Sequence, residues 1–174
     1  MKIAVSGLSG CGNTTTSEIL ATRLGFTLVN FTFKNLAVEK GMSFDELCAL
    51  AKTTDEIDKE LDRRQVEMAE KVPDAILASR LAIWMLKDAD YRVYLKASSA
   101  VRAKRIQKRE GGELSVVEEK TAKRDESDHS RYLKLYGINN YDYSIADAVL
   151  DTDDKSAEAV ADLIYTDIKK RFKF

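Results

Sequence analysis

The sequence is short of the residues from which many active sites are assembled. It has one histidine, His129, and two cysteines, Cys11 and Cys48. A lone histidine leaves no Ser-His-Asp set, and no cluster shows metal-ligand spacing. The cysteines lie far apart, which excludes both a disulfide framework and a cysteine-based metal motif. No apolar run approaches the roughly 20 residues of a membrane span. The run in MKIAVSG is too short for a signal-peptide core, and no cleavage pattern follows it. The expectation is a cytoplasmic protein with no membrane partner. Charge of one sign is also missing: 28 basic residues face 29 acidic ones, a net charge of −1. Nothing global therefore favours nucleic acid, and any anion must be bound by local groups of arginine and lysine. The N-K-x-D and D-x-x-G elements of a GTPase switch are absent, as are repeats and low-complexity tracts.

What is present begins at GLSGCGNTT, Gly7 to Thr15. It follows an apolar run and precedes a helical pattern. The phosphate-loop signature is G-x-x-x-x-G-K-[ST]; Gly7, Gly12, Thr14 and Thr15 fit it, and Asn13 stands where the lysine belongs. Glycines let the backbone of Gly7, Leu8, Ser9, Gly10, Cys11 and Gly12 converge N–H groups on an anion. The helix opening near Asn13 aims its positive end at the same place. Thr14 stands where a hydroxyl ligates Mg²⁺. The rival dinucleotide fingerprint, G-x-G-x-x-G, fails at Thr15, and Asn30 replaces the acidic residue that would hold a ribose.

At 174 residues, 44% of them hydrophobic, the chain fits one domain with a sizeable core. The pattern predicts a strand over Met1 to Ser6, a helix from the loop to about Leu24 with Gly25 as its C′ residue, and a strand over Phe26 to Phe31. That βαβ order implies a parallel sheet. Helices follow over Phe33 to Lys40, from the capping box at Ser43 to Glu46, and from a second box at Thr53 to Glu56 as far as Lys71. On the second of these Phe44, Leu47, Cys48 and Ala51 share a face. Pro73, the only proline, ends the block. Strands are expected over Asp74 to Ser79, Tyr91 to Ala97 and Ala148 to Asp151, with a short helix over Leu81 to Leu86. Ser98 caps a helix broken by Gly111-Gly112. A third capping box at Ser115 to Glu118 opens a helix to about Leu135. The last helix, from about Ser156, places Val160, Leu163, Ile164 and Ile168 on one stripe. The fold class is α/β: about five parallel strands flanked by helices, interrupted by helical insertions at 33–73 and roughly 111–137.

Ligands in such a sheet bind beyond the carboxyl ends of its strands. Arg80, just past an apolar strand, faces that crevice. Arg102, Arg105 and Arg109 share a helix face, with Arg105 and Arg109 as candidates for nucleotide contact. Arg124, Asp128 and Arg131 share another, and Arg124 with Asp128 can form a surface bridge. Arg64 falls in an apolar stripe with Ile57, Leu61 and Met68. Either its stem lies along the surface with its head in water, or it reaches an anion in a cleft. His129 reads as exposed, Cys11 as a loop filler, and Trp84 and Phe44 as core.

The loop GLSGCGNTT, the segments FKNLAVEKGMSFDEL, EIDKELDRRQ and RLAIWM, and RDESDHSRYLKLYGI followed by SIADAVLDT together resemble the archaeal-type cytidylate kinases. The matches spread from residue 3 to about residue 152. The resemblance implies a three-layer P-loop NTPase fold of the nucleoside monophosphate kinase type. Its core would be 1–32, 74–110 and 138–174, with a monophosphate-binding insertion at 33–73 and a lid at about 111–137. It implies transfer from ATP to CMP or dCMP with Mg²⁺, by a monomer acting on small nucleotides. ATP would sit on Gly7 to Thr15, with Arg105 and Arg109. The acceptor would meet Lys34, Asp62, Arg63, Arg64 and Arg80. Thr14 would bind the metal, and Arg124 and Arg131 would neutralise the transferring group, one of them standing in for the missing lysine.

The family commonly carries threonine rather than lysine at the position of Asn13, so asparagine is itself a departure, and the chain departs at three further places. Lys34 replaces the arginine of a Phe-Arg pair, Ala78-Ser79 replaces Glu-Gly before Arg80, and Ile83 replaces a glycine. These bear on base preference more than on phosphoryl transfer. Two alternatives stand beside the cytidylate kinase reading: a kinase for another nucleoside monophosphate or small acceptor, and a catalytically weak nucleotide-binding module.

Overall fold

A computed structural model describes residues 1–173. In chain order the elements are β1 (Lys2–Gly7), α1 (Asn13–Leu24), β2 (Thr27–Val29), α2 (Phe33–Glu39), α3 (Phe44–Ala51), α4 (Glu56–Glu70), β3 (Ala75–Ala78), α5 (Ala82–Met85), β4 (Tyr91–Lys96), α6 (Ser99–Glu110), α7 (Leu114–Tyr136), β5 (Ala148–Asp151) and α8 (Ala157–Phe172). The five strands form one sheet in the order β2-β3-β1-β4-β5, and all pairs are parallel. The sequence predicts this sheet, although β2 is shorter than the expected Phe26 to Phe31.

β1 is central, and its apolar run is buried on both faces, as a parallel strand with helices above and below requires. Ile3 and Val5 pack with Leu20 of α1 and Val160, Ile164 and Ile168 of α8. Ala4, pointing the other way, packs with Ala69 of α4 and Ala82, Ile83 and Leu86 at α5. Three layers result. Trp84 belongs to the second cluster and meets Tyr94 edge-on at 6.0 Å, which supports its reading as core.

Two satellite clusters serve the helical segments. Phe31, Leu36, Leu47, Ile57 and Leu61 join α2, α3 and α4. Ala103, Ile106 and Val117 join α6 to α7. Some expectations fail here. Phe44, Met68 and Leu163 are exposed. The buried stripe of α4 runs through Ile57, Leu61, Gln65 and Ala69, successive steps of four, so Met68 and Arg64 fall beside it. The box at Ser43 forms as expected, with Ser43 accepting from Glu46 N–H. The other two do not. Asp55 is the N-cap of α4 with no side-chain bond, and Thr54 reaches only Glu56 N–H. α7 starts one residue before Ser115, with Glu113 as N-cap. Among the described residues no helix is long and apolar enough to cross a membrane.

The sheet order decides what surrounds the β1 turn. β1 ends between β3, which leads to Arg80, and β4, which leads to α6; β5 lies beyond β4. Gly10 of that turn has φ +87°, and a Cβ added there would lie 2.9 Å from the Cα and carbonyl oxygen of Arg102. Gly25, at φ +68°, has nothing within 4 Å. Gly25→Ala should therefore cost about 1 kcal/mol, the left-handed backbone penalty alone. Gly10→Ala must add a backbone clash and should cost about 3 kcal/mol or more. Urea unfolding of the two variants measures the difference; equal losses would show that the turn is free to move off α6.

Candidate active site

In the turn from β1 to α1 the Cys11 N–H closes back on Leu8 O at 3.1 Å. α1 has no side-chain cap, and its first internal bond is Thr16 N–H to Gly12 O. The N–H groups of Asn13, Thr14 and Thr15 are therefore left over at its N-terminus. The carbonyls preceding them are all occupied. Arg102 donates to Ser9 O at 3.1 Å, Arg105 donates to Gly10 O at 3.2 Å, and the single hydrogen of the Thr152 hydroxyl is shared between Cys11 O at 3.2 Å and Lys96 O at 3.0 Å. A trans peptide carries its N–H opposite its C=O. Holding Ser9 O and Cys11 O thus turns the N–H groups of Gly10 and Gly12 the other way, toward the side where α1 begins.

Arg102 is buried, with Asp125 of α7 on its second face at 2.7 Å. Arg105 also donates to the hydroxyl of Thr152 at 3.0 Å and to its carbonyl. The sequence singled out Arg105 for nucleotide contact; the structure engages it with the loop backbone. Arg109 is exposed and paired with its neighbour Glu110. Asn13 folds inward, its amide donating to Gly7 O at 3.2 Å, while its Oδ1 has no partner. The Thr14 side chain is exposed, with no protein partner for its hydroxyl among the described residues. Cys11 is buried, and burial pushes its thiol up; Arg102 opposes this without reversing it, so the helix terminus does not activate it.

On the other side of β1 lies a cluster of charge. Asp128 of α7 accepts from Arg131 at 2.9 Å and is also paired with Arg80. Arg131 reaches on to Asp58 of α4, its Nε 3.0 Å from Oδ2. One turn along α4, Asp62 accepts from Tyr136 of α7 at 2.8 Å. Burial lowers Arg80 to about 10, so it stays charged at neutral pH. Burial raises Asp58, with Arg131 opposing it. Burial pushes Asp62 up to about 6, although the Tyr136 hydroxyl favours its ionised form.

The remaining candidates are spread more widely. Arg124 is exposed on α7 and makes no ion pair among the described residues; the expected Arg124–Asp128 bridge does not form, because Arg80 and Arg131 occupy that carboxylate. Arg124 and Ser9 line one cleft of about 430 Å³, together with Gly111, Gly112, Lys120 and Thr121. Lys34 is exposed at the start of α2 without an ion-pair partner. Arg63 is an exposed residue paired with Glu67 at 2.6 Å. Arg64 lies over the Phe31 ring at 4.7 Å and pairs with Glu39, so its head stays near the surface. His129 is half-buried rather than exposed, bonded to Asn140 at 2.8 Å and stacked on Tyr141.

Sequence reasoning passed over Asp58, Tyr136, Thr152, and the pairing of Arg102 with Asp125. A signal existed. Asp58, Asp62 and Gln65 follow the buried stripe of α4. Thr121, Asp125 and Asp128 follow that of α7, between Val117 and Tyr132. Polar residues kept on a buried face at helical spacing must meet partners on another element.

A family model described as "Cytidylate kinase-like family" matches residues 2–154. "Cytidylate kinase 2" of Borreliella afzelii (strain PKo) is 43% identical, the alignment covering 98% of this chain and 98% of that one. "Cytidylate kinase" of Pyrococcus abyssi (strain GE5 / Orsay) is 44% identical, covering 91% of this chain and 88% of its own length. Among solved structures, shikimate kinase from Acinetobacter baumannii is similar in fold, with TM-score 0.67 at 19% identity over 97% of this chain and 93% of that one. Deoxyadenosine kinase from M. mycoides gives 0.58 at 19%, over 97% of this chain and 100% of its own.

The buried Asp62 carboxyl gives stability a pH dependence of defined sign. Its folded value of about 6 lies above the ordinary 3.8, so the folded state holds a proton there that the unfolded chain has released. This contribution is full below about pH 4, shrinks as pH rises to about 6, and is constant above. Asp62→Asn keeps an acceptor for Tyr136 and removes the titration. Relative to the parent protein the variant should gain up to about 3 kcal/mol between pH 4 and pH 6. Urea unfolding at several pH values reads this; parallel curves would mean that Asp62 does not titrate in that window.

Proposed function

The chain belongs to the cytidylate kinase-like family, and from that membership we propose that it is a cytidylate kinase, moving the γ-phosphoryl group of ATP to CMP or dCMP. The observation that carries this reading is its identity with proteins named cytidylate kinase, 39% to 44% over more than nine-tenths of the chain. The geometry supports it. Phosphoryl transfer needs an anion cradle, cations around the transferring group and exclusion of water, with little covalent work by the protein.

The N–H groups of Gly10, Gly12, Asn13, Thr14 and Thr15 hold the donor phosphates. Thr14 fits as a Mg²⁺ ligand, because its hydroxyl is exposed and unengaged. Mg²⁺ characteristically takes one or two protein oxygens and completes its shell with phosphate and water. When bound it neutralises charge on the donor phosphates. The segment α2 to α4 serves as the monophosphate-binding insertion and α7 as the lid. Arg80, with Lys34 and Arg63 or Arg64 from the insertion, receives the acceptor phosphate. That phosphate takes over the position that Asp128 fills between Arg80 and Arg131. An acceptor oxygen then attacks the γ-phosphorus, the bond from that phosphorus to the bridging oxygen breaks, and ADP leaves with that oxygen. The attacking oxygen is already ionised, so no general base is needed.

Arg124 and Arg131 act on the transferring group in this scheme, and their surroundings separate them experimentally. Arg124 has no ion pair to lose, so Arg124→Ala should lower kcat by about 10²-fold with little change in stability. Arg131→Ala should lower kcat and also destabilise the fold by about 2–3 kcal/mol, because it strips a partner from the buried Asp58 and Asp128. ADP release with ATP–Mg²⁺ against CMP, dCMP, UMP, AMP, GMP and dTMP tests the reading itself. CMP and dCMP should be the best acceptors. Preference for another acceptor would move the protein to a different substrate, and ATP binding without turnover on any acceptor would favour a nucleotide-binding module.

A further inference from the structure

We propose that Arg105 supplies, from the carbonyl side of the phosphate loop, the positive charge that the loop lacks at Asn13. Arg102 and Thr152 are its companions, holding the loop against that charge. The proposal rests on the reading that this loop holds the donor phosphates.

The loop signature puts a lysine at the position of Asn13, and the Asn13 amide is turned back onto Gly7 O. Three of the obvious substitutes are already neutralised within the protein, and the fourth, Arg124, is unpaired but exposed to solvent on α7 with no bond to the loop. Arg80 is paired with Asp128, Arg131 with Asp128 and Asp58, and Arg102 with Asp125. Arg105 differs: its acceptors are Gly10 O, the Thr152 hydroxyl and Thr152 O, all uncharged. Among the described residues no carboxylate lies within ion-pair distance of it. A full charge therefore bears on the backbone of the loop, one peptide unit from the N–H groups.

The placement follows from topology. β4 is the strand next to β1 on this side, and β5 lies beyond it. Their carboxyl ends deliver α6 and Thr152 to the carbonyl side of the turn. Gly10 presses against α6 so closely that no Cβ fits between them. A guanidinium bonded to Gly10 O polarises the loop, and its field reaches the anion well within the screening length of about 8 Å. At a partly buried site, one charge at such a range alters the affinity for a phosphate chain on the order of tenfold or more. Arg105 is thus a positioning residue that acts through the backbone it holds.

Isothermal titration with ADP–Mg²⁺ and, separately, with CMP tests this. Arg105→Gln should weaken ADP binding about tenfold and leave CMP binding unchanged. Arg105→Lys, which keeps the charge and loses the two-pronged bond, should stay within about threefold of the parent. Adding Asn13→Lys to Arg105→Gln should recover most of the lost affinity, a larger gain than Asn13→Lys gives in the parent. Equal ADP affinity in parent and Arg105→Gln overturns the proposal. So does a loss that Asn13→Lys does not recover, which would make Arg105 a brace only. If Arg105→Gln fails to fold by circular dichroism, Arg105→Lys decides: retained affinity supports the proposal, a tenfold loss overturns it. A parent protein that binds CMP but not ADP overturns the donor-loop reading and this proposal together.

Discussion

The planarity of three consecutive peptide units is the constraint from which the site is built. Once Ser9 O, Gly10 O and Cys11 O are drawn to Arg102, Arg105 and Thr152, the intervening N–H groups of Gly10 and Gly12 have no freedom to face the same way. They turn to the side where α1 exposes its own first N–H groups. The turn and the start of α1 then present backbone N–H groups on one side. Glycine at position 10 is required twice over, for its positive φ and because α6 leaves no space for a Cβ.

α7 depends on a different kind of contact. Its first turns meet apolar neighbours at Ala103 and Ile106, and further along Tyr132 is buried and His129 stacks on Tyr141. From Asp125 onward its polar contacts dominate: Asp125 to Arg102, Asp128 to Arg80, Arg131 to Asp58, Lys134 to Asp55 and Tyr136 to Asp62. Ion pairs taken out of water gain little net stability, because desolvation offsets most of the attraction. Such an attachment suits an element that exchanges internal carboxylates for a ligand's phosphate, since an anion of similar charge restores the same contacts. An apolar seam along the helix would offer a phosphate nothing to exchange with.

Much of this was legible in the order of the residues. The alternation of apolar runs with helical patterns predicts the parallel sheet, and the loop signature marks the glycine turn between β1 and α1. Arg80 could be placed because a charged residue just past an apolar strand lies at the ligand edge of the sheet. The errors have physical causes. The apolar spacing traces the stripe of α4 through Met68, whereas the buried face advances in steps of four to Ala69; of the two readings of Arg64, the one with its stem along the surface holds. The boxes at Thr53 and Ser115 have the right letters, but the helices start at neighbouring residues, so the side chains cannot reach the N–H groups they were expected to cap. Arg124 and Asp128 have ideal spacing for a surface bridge, yet Asp128 faces inward, where Arg80 and Arg131 reach it.

By itself the sequence determined the local chemistry: glycines where φ is positive, a helix N-terminus after the last of them, and arginines near the ends of strands. These depend on residues within a few positions of one another, which is why local patterns carry them. Which arginine meets which carboxylate was decided only by the fold. Arg102 and Ser9 are 93 residues apart in the chain, and Thr152 and Cys11 are 141 apart. They meet because the sheet order sets β4 and β5 beside β1, and that order is fixed by burying both faces of β1 beneath separate layers of helix. Whether a given charge is free or neutralised is therefore a property of the folded arrangement, and that distinction separates Arg105 from Arg80, Arg102 and Arg131.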